Sequence, residues 1–161
     1  DKNSQYIIKL NEKFVSKAIY KSIYIKRKYV LSDEKEKLKT VHSRAILNFG
    51  HSFGHALEAF YNYNKKLTHG EAISIGMIIA AELSYKLKYL SLSDLNKIKD
   101  HFKLNKLPIS DKKMYNKKIF DLIEKDKKNT NSKINFVLLK RIGSAFLSQN
   151  LNLKKIEKLL N

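Results

Sequence analysis

Through most of this chain apolar residues recur three and four positions apart, and a single proline, Pro108, interrupts them. Such spacing puts one apolar stripe on each successive helix and points to a mainly α fold. Phe14, Val15, Ala18, Ile19, Ile23 and Ile25 predict a helix over about Asn11 to Val30, ended or capped at Ser32-Asp33. A charged stretch runs from there to Thr40, and a second helix is expected over about Ser43 to Tyr61. A third should start near Thr68-His69-Gly70-Glu71 and run to about Leu90; Thr68 and Glu71 have the spacing of a capping box, which puts His69 in its first turn. Ser93 is expected to cap a fourth helix through Leu95, Ile98 and Phe102, and a short helix over about Lys118 to Lys125 follows Pro108. Then the period changes. Ile134, Phe136 and Leu138 alternate with Asn135, Val137 and Leu139, and Arg141-Ile142-Gly143 leads into Ala145-Phe146-Leu147, which reads as a β-hairpin. Leu151 to Leu160 reads as a terminal helix.

A chain of 161 residues with 43% apolar content suits one globular domain with a sizeable core. No apolar run approaches the roughly 18 residues that span a bilayer, and the first residues lack a secretory pattern. No membrane partner is therefore expected. With no cysteine, any metal site must draw on His, Asp or Glu, and a cytoplasmic setting fits. The net charge of +18 would attract polyanions. Yet arginine, the favoured residue for bidentate phosphate and base contacts, occurs only at Arg27, Arg44 and Arg141. The lysines are scattered over polar helical positions. A lysine-rich solvated surface explains the charge better than nucleic-acid binding does.

The chemistry concentrates in the second predicted helix. Arg44, Asn48, His51 and His55 lie at i, i+4, i+7 and i+11, within about 60° of one another on an ideal helix. Gly50 and Gly54 share that segment, each costing roughly 1 kcal/mol against alanine in a helix interior. Their expected use is to let another backbone, or a ligand, approach closely. A pair of histidines four apart is often an accident of surface or core, but the neighbouring Arg44, Asn48 and glycines argue for a site. His69, at the head of the next helix, could face the stripe across a short loop. Histidine nitrogens suit Zn²⁺, which at catalytic sites usually takes three protein ligands. No obvious third is visible here.

Arg44-Ala45-Ile46-Leu47-Asn48-Phe49-Gly50-His51-Ser52-Phe53-Gly54-His55-Ala56-Leu57-Glu58, followed by His69-Gly70-Glu71-Ala72-Ile73-Ser74-Ile75-Gly76-Met77, resembles the signature of the 3-dehydroquinate synthase family. Ile25-Lys26 with Asp33-Glu34-Lys35-Glu36, and Asp126-Lys127-Lys128-Asn129 ahead of the hairpin, resemble the segments that flank it. The resemblance covers nearly the whole chain in order. It implies a multi-helix C-terminal domain over residues 1–161 with a small β-hairpin near its C-terminus. It also implies an NAD- and metal-dependent lyase that converts 3-deoxy-D-arabino-heptulosonate 7-phosphate to 3-dehydroquinate and phosphate in the shikimate pathway.

By that resemblance His51 and His69 are the metal ligands, for zinc or another divalent ion. His55 is a proton-transfer group, and Glu36 a candidate acid or base. Lys26, Arg44, Asn48 and Lys127 bind the phosphate, carboxylate and hydroxyls of a phosphorylated sugar acid. The chain departs from the family by extra residues between Glu36 and Arg44. It also has no glycine-rich turn after a predicted strand, so the NAD-binding α/β domain is expected to be missing, along with a glutamate metal ligand. The chain alone is then expected to be inactive, and the full enzyme a homodimer. The alternatives are another sugar-phosphate cyclase, making inosose or valiolone products, or a lysine-rich helical nucleic-acid-binding domain.

Overall fold

A computed structural model describes residues 3–38, 40, 42–64, 66–129, 135–148 and 151–161, and the side chains of 126–129 lie outside that description. The elements in chain order are α1 (Ser4–Ile8), α2 (Glu12–Ser32), a 3-10 segment (Arg44–Asn48), α3 (His51–Phe60), α4 (His69–Lys86), α5 (Leu92–Leu104), α6 (Lys117–Asn129), β1 (Phe136–Arg141), β2 (Ser144–Ser148) and α7 (Leu153–Leu160). The mainly α fold with one hairpin agrees with the sequence pattern.

Helix α4 is the axis of the domain. It is apolar on nearly every side, the signature of a helix packed all round. Ile75, Ile78, Ile79, Ala81 and Leu83 are all within 1% of full burial. Its start is the capping box expected at Thr68: Thr68 Oγ1 accepts from Glu71 N, and Glu71 Oε2 accepts from Thr68 N at 2.9 Å. Around α4 the core gathers Phe53 and Leu57 of α3, Ile119 and Phe120 of α6, Phe136 and Leu138 of β1, and Ile156 of α7. Phe53 and Phe136 stack with ring centroids 5.1 Å apart. The hairpin pairs antiparallel, Val137 opposite Leu147, with an irregularity between Leu139 and Arg141. Leu139 N donates to Ser84 Oγ at 3.0 Å, which ties β1 to α4. Phe136 to Leu139 are all buried, so the expected in-and-out alternation is replaced by strand residues covered on both faces. Ile134 lies outside the described residues.

The sequence expectation fails most clearly at residues 43–61. One continuous helix was expected there; instead the 3-10 segment stops at Asn48, Phe49 turns extended, and Gly50 adopts a left-handed φ of 83° as the N-cap of α3. A left-handed residue cannot continue a right-handed helix, so the chain breaks where glycine allows it. Gly50 is therefore a cap and not a helix interior, and the single stripe from Arg44 to His55 does not exist as drawn. Two smaller corrections follow. Ser91, not Ser93, caps α5, its hydroxyl accepting from Asp94 N at 3.1 Å. Helix α4 ends at Lys86 rather than near Leu90.

Candidate metal and substrate site

The site is built on the meeting of α3 and α4. Gly50, Gly54 and Gly76 line that contact: a Cβ on Gly76 would stand 2.2 Å from Gly50 O and 2.7 Å from Gly54 N. A Cβ on Gly50 would meet Met77 N at 2.6 Å, and one on Gly54 would meet Ile73 Cδ1 at 2.7 Å and Ala72 O at 3.1 Å. Backbone atoms are among the partners at all three positions, so the glycines admit a neighbouring main chain, one of the two uses expected of Gly50 and Gly54. With the two helices this close, the first turn of α4 comes alongside the first two turns of α3.

Three imidazoles converge there. Ring centroids are 5.3 Å apart for His51 and His55, 6.0 Å for His55 and His69, and 6.2 Å for His51 and His69. His69 Nδ1 lies 3.1 Å from both carboxylate oxygens of Glu58, whose side chain is only 13% exposed. His51 Nδ1 lies 3.4 Å from Phe49 O. In each case the tautomer with its proton on Nδ1 donates to that oxygen and leaves Nε2 as the lone pair a metal needs. Among the described residues, ligand atoms of His55, Glu58 and His69 also all lie within 4.8 Å of one another.

Two ligand sets are thus drawn from one cluster: His51 with His69, oriented by Phe49 O and Glu58, or His55 with Glu58 and His69. The first keeps Glu58 as the acceptor that fixes a ligand imidazole, the common arrangement around metal-bound histidine. The second needs Glu58 to leave His69 Nδ1, or to bridge. We favour the first on that ground. Either way the donors are nitrogen and oxygen atoms of the kind that zinc accepts. Glu58 went unassigned in the sequence reading. Its signal was present: it stands three residues after His55 and seven after His51, on the same face of α3.

The remaining sequence candidates lie on other elements. Arg44 and Asn48 open and close the 3-10 segment that leads into α3. Arg44 donates through Nη1 to Glu34 O at 3.2 Å, and Asn48 is exposed. Lys26 is exposed on α2. Glu36 is exposed and left-handed, with φ 51°, an uncommon conformation for a residue with a side chain. Lys127 sits on the last turn of α6, and its side chain lies outside the described residues.

The loop that carries Glu36 is organised by Asp33, which is 5% exposed. Its Oδ1 accepts from Lys37 N at 2.7 Å and Leu38 N at 3.1 Å, and its Oδ2 accepts from Arg44 N at 3.0 Å and the Ser43 hydroxyl at 3.2 Å. Burial pushes the carboxyl pKa up, and the four donors outweigh it, leaving the pKa below its usual value. Asp33 thereby holds both ends of the segment from Glu36 to Arg44.

Comparison with known proteins gives this geometry a context. The family model described as 3-dehydroquinate synthase C-terminal matches residues 1–129. A 3-dehydroquinate synthase of Pelagibacter ubique is 42% identical over 164 residues, which is 99% of this chain and 44% of that protein. One from Thermoanaerobacter pseudethanolicus is 39% identical, over 90% of this chain and 39% of its own length. The chain therefore spans less than half the length of these curated relatives. Among solved structures, 2-epi-5-epi-valiolone synthase from Streptomyces hygroscopicus, with NAD⁺ and Zn²⁺ bound, superposes with a TM-score of 0.76. It is 18% identical and covers 98% of this chain and 44% of its own. A 2-deoxy-scyllo-inosose synthase with carbaglucose-6-phosphate, NAD⁺ and Co²⁺ gives a TM-score of 0.53 at 24% identity, over 73% of this chain and 33% of its own.

Proposed function

Because the chain belongs to the 3-dehydroquinate synthase family, we propose that it is the metal- and substrate-binding domain of such an enzyme. The reaction would convert 3-deoxy-D-arabino-heptulosonate 7-phosphate to 3-dehydroquinate and phosphate, with NAD⁺ held mainly by the part of the family fold outside this chain. The observation that carries the reading is the convergence of His51, His55 and His69 at the glycine-lined meeting of α3 and α4. The relatives' 3-dehydroquinate synthase activity and the metal bound in the solved neighbours support it.

In this reading His51 and His69 hold the divalent ion through Nε2, and Glu58 fixes the ring of His69. When bound, the ion supplies a Lewis acid for the alcohol that is oxidised. His55, beside the two ligand imidazoles, takes or returns a hydroxyl proton. Lys26, Arg44 and Lys127 are the cationic clamp that offsets the charge of the departing phosphate and the carboxylate, and Asn48 orients hydroxyls. Glu36, in the loop that Asp33 ties together, is the remaining acid or base. A cytoplasmic, homodimeric enzyme is the setting expected of this family.

The test is phosphate release from heptulosonate 7-phosphate with NAD⁺ and Zn²⁺. The chain alone should release none, and adding the rest of the family fold as a second polypeptide should restore turnover. Turnover by the chain alone would overturn the division of labour proposed here. Silence of the reconstituted pair, with both halves folded, would overturn the activity itself. Sedoheptulose 7-phosphate is the comparison substrate, because another sugar-phosphate cyclase is the alternative reading. Preference for it would move the chain to another branch of the sugar-phosphate cyclases.

A further inference from the structure

The end of α2 takes hold of the chain at three successive residues. The Ser32 hydroxyl lies 2.9 Å from Tyr29 O and 3.0 Å from His42 O, so it can donate across the segment. The Asp33 carboxylate accepts from the Ser43 hydroxyl and from Arg44 N, and Glu34 O accepts from Arg44 Nη1. Asp33 also reaches the other way: its Oδ1 takes Lys37 N and Leu38 N, and its carbonyl accepts from Glu36 N at 3.1 Å. A carboxylate has about four lone-pair sites, and four donors fill them here. Stability of the interior does not account for this network. The buried residues of the main core cluster run from Phe53 to Leu160, and α2 buries none of its own. What the network does fix is Arg44, by main chain and side chain at once. The bond to Glu34 O uses one of the guanidinium's five donors, and the rest of the planar fork can be offered to an oxyanion.

We propose that Asp33 is a positioning residue for substrate binding: with Glu34 O it sets the Arg44 guanidinium to receive an oxyanion group of the substrate, and it fixes Glu36 at a set spacing from Arg44. This rests on the reading of the chain as the substrate-binding domain of a 3-dehydroquinate synthase. The charge of Asp33 alone would work the other way. A carboxylate this near Arg44 repels an incoming phosphate or carboxylate, so an Asp33 acting only through its field would weaken anion binding, and its removal would tighten it. Positioning has the opposite sign. Without Asp33 the backbone and side chain of Arg44 lose their place, the anion must order them as it binds, and affinity falls.

The experiment follows the Arg44 Nε–Hε resonance of the full chain by NMR during titration with inorganic phosphate and, separately, with acetate. Arg27, Arg44 and Arg141 are the only arginines, so the signal is easily resolved, and Arg44→Lys assigns it. A signal from this one side chain is also blind to anions held by the scattered lysines. In wild type it should shift saturably with at least one of the two anions, and which one tells a phosphate subsite from a carboxylate subsite. Asp33→Ala should weaken that binding ~10-fold. Asp33→Glu keeps the charge and moves both oxygens by one methylene; it should weaken binding comparably, and it carries the test should Asp33→Ala not fold. Asn152→Ala removes the cap of α7 instead and should leave the titration unchanged.

A wild-type Arg44 resonance that answers neither anion would overturn the proposal, as would Asp33→Glu binding equal to wild type or tighter binding in Asp33→Ala. An equal loss in Asn152→Ala would reduce Asp33 to general stability and overturn it too. In the reconstituted pair of polypeptides, Asp33→Glu should raise the KM for heptulosonate 7-phosphate ~10-fold and add little to it once Arg44 is replaced by lysine, because the two residues act as a unit. Additive losses there would count against positioning. Silence of the wild-type pair, with Arg44 still answering anions in an Asp33-dependent way, would sink the activity alone. Turnover at an unchanged KM in Asp33→Glu would sink the positioning role alone.

Discussion

Replacing Gly76 by alanine tests the packing that assembles the site. The added Cβ would stand 2.2 Å from Gly50 O, 2.7 Å from Gly54 N and 3.1 Å from Gly54 Cα. All three are main-chain atoms, so no side chain can rotate away, and α4 must move from α3 by about 1 Å to restore ordinary contact. Overpacking of this kind costs about 1–3 kcal/mol and occasionally more. The gain in helix propensity of alanine over glycine returns about 1 kcal/mol. Because the smallest of the three distances is far below any tolerated contact, the upper end of that range applies, and the net loss should be about 2 kcal/mol. For a domain of this size that lowers Tm by roughly 4–8 °C.

Gly70→Ala is the control, since nothing lies within 4 Å of a Cβ built there. It should leave Tm unchanged or raise it. The same 1 Å displacement separates His69 from His51 and His55, so Co²⁺ binding followed by visible absorption should weaken ~10-fold or more in Gly76→Ala. A Gly76→Ala protein with the Tm and Co²⁺ affinity of Gly70→Ala would refute the claim that the glycines hold the helices together.

The metal ligands are separable by titrating Co²⁺ into single variants. His51→Ala and His69→Ala should abolish binding, while Glu58→Gln should weaken it ~10- to 100-fold by releasing the His69 ring; loss with His55→Ala and retention with His51→Ala would select the other ligand set. Thr68→Ala removes one half of the α4 capping box and should cost about 1 kcal/mol in urea unfolding; an unchanged midpoint would mean that Glu71 alone caps the helix. Asp33→Asn loses an acceptor for either the Lys37–Leu38 or the Ser43–Arg44 donors, so amide exchange at those residues should accelerate ~10-fold while exchange in α4 does not. The carboxyls of Asp33 and Glu71 are both held below their ordinary values of 3.8 and 4.5, Glu71 by hydrogen bonds from the Thr68 backbone and hydroxyl. Their contribution to stability is therefore present above those values and lost as pH falls through the lower folded values; in Asp33→Asn and Glu71→Gln the acid limb of the unfolding curve should flatten.

Residue type and spacing made much of this domain readable. The capping box at Thr68 is visible because its chemistry is local, two side chains three residues apart. The change of period at residue 136 separates hairpin from helices for the same reason. Gly50 and Gly54 were read as places of close approach, and both face the α4 backbone. The break at Phe49 was invisible to periodicity because the apolar positions on either side stay in helical phase; only the left-handed φ of Gly50 ends the segment. The cap of α5 was displaced by two residues because Ser91 and Ser93 are both good caps, and the position of Asp94 three after Ser91 decides between them. Glu58 shares the histidine face of α3 and could have been read from that spacing; its contact with His69 comes only from tertiary packing. Helix α1, at five residues, is too short for a period to show.

The glycine seam also bears on the order of folding. Helices α3 and α4 are joined by a loop of eight residues, Tyr61 to Thr68, and their contact involves positions little more than twenty apart in the chain. Contacts of such short separation close at little entropic cost, so this helical hairpin should form early and open late. The histidines belong to it. A domain arranged this way would keep its imidazole cluster through partial openings that detach α2 or α7, so native-state exchange should find α3 and α4 among the last helices to open.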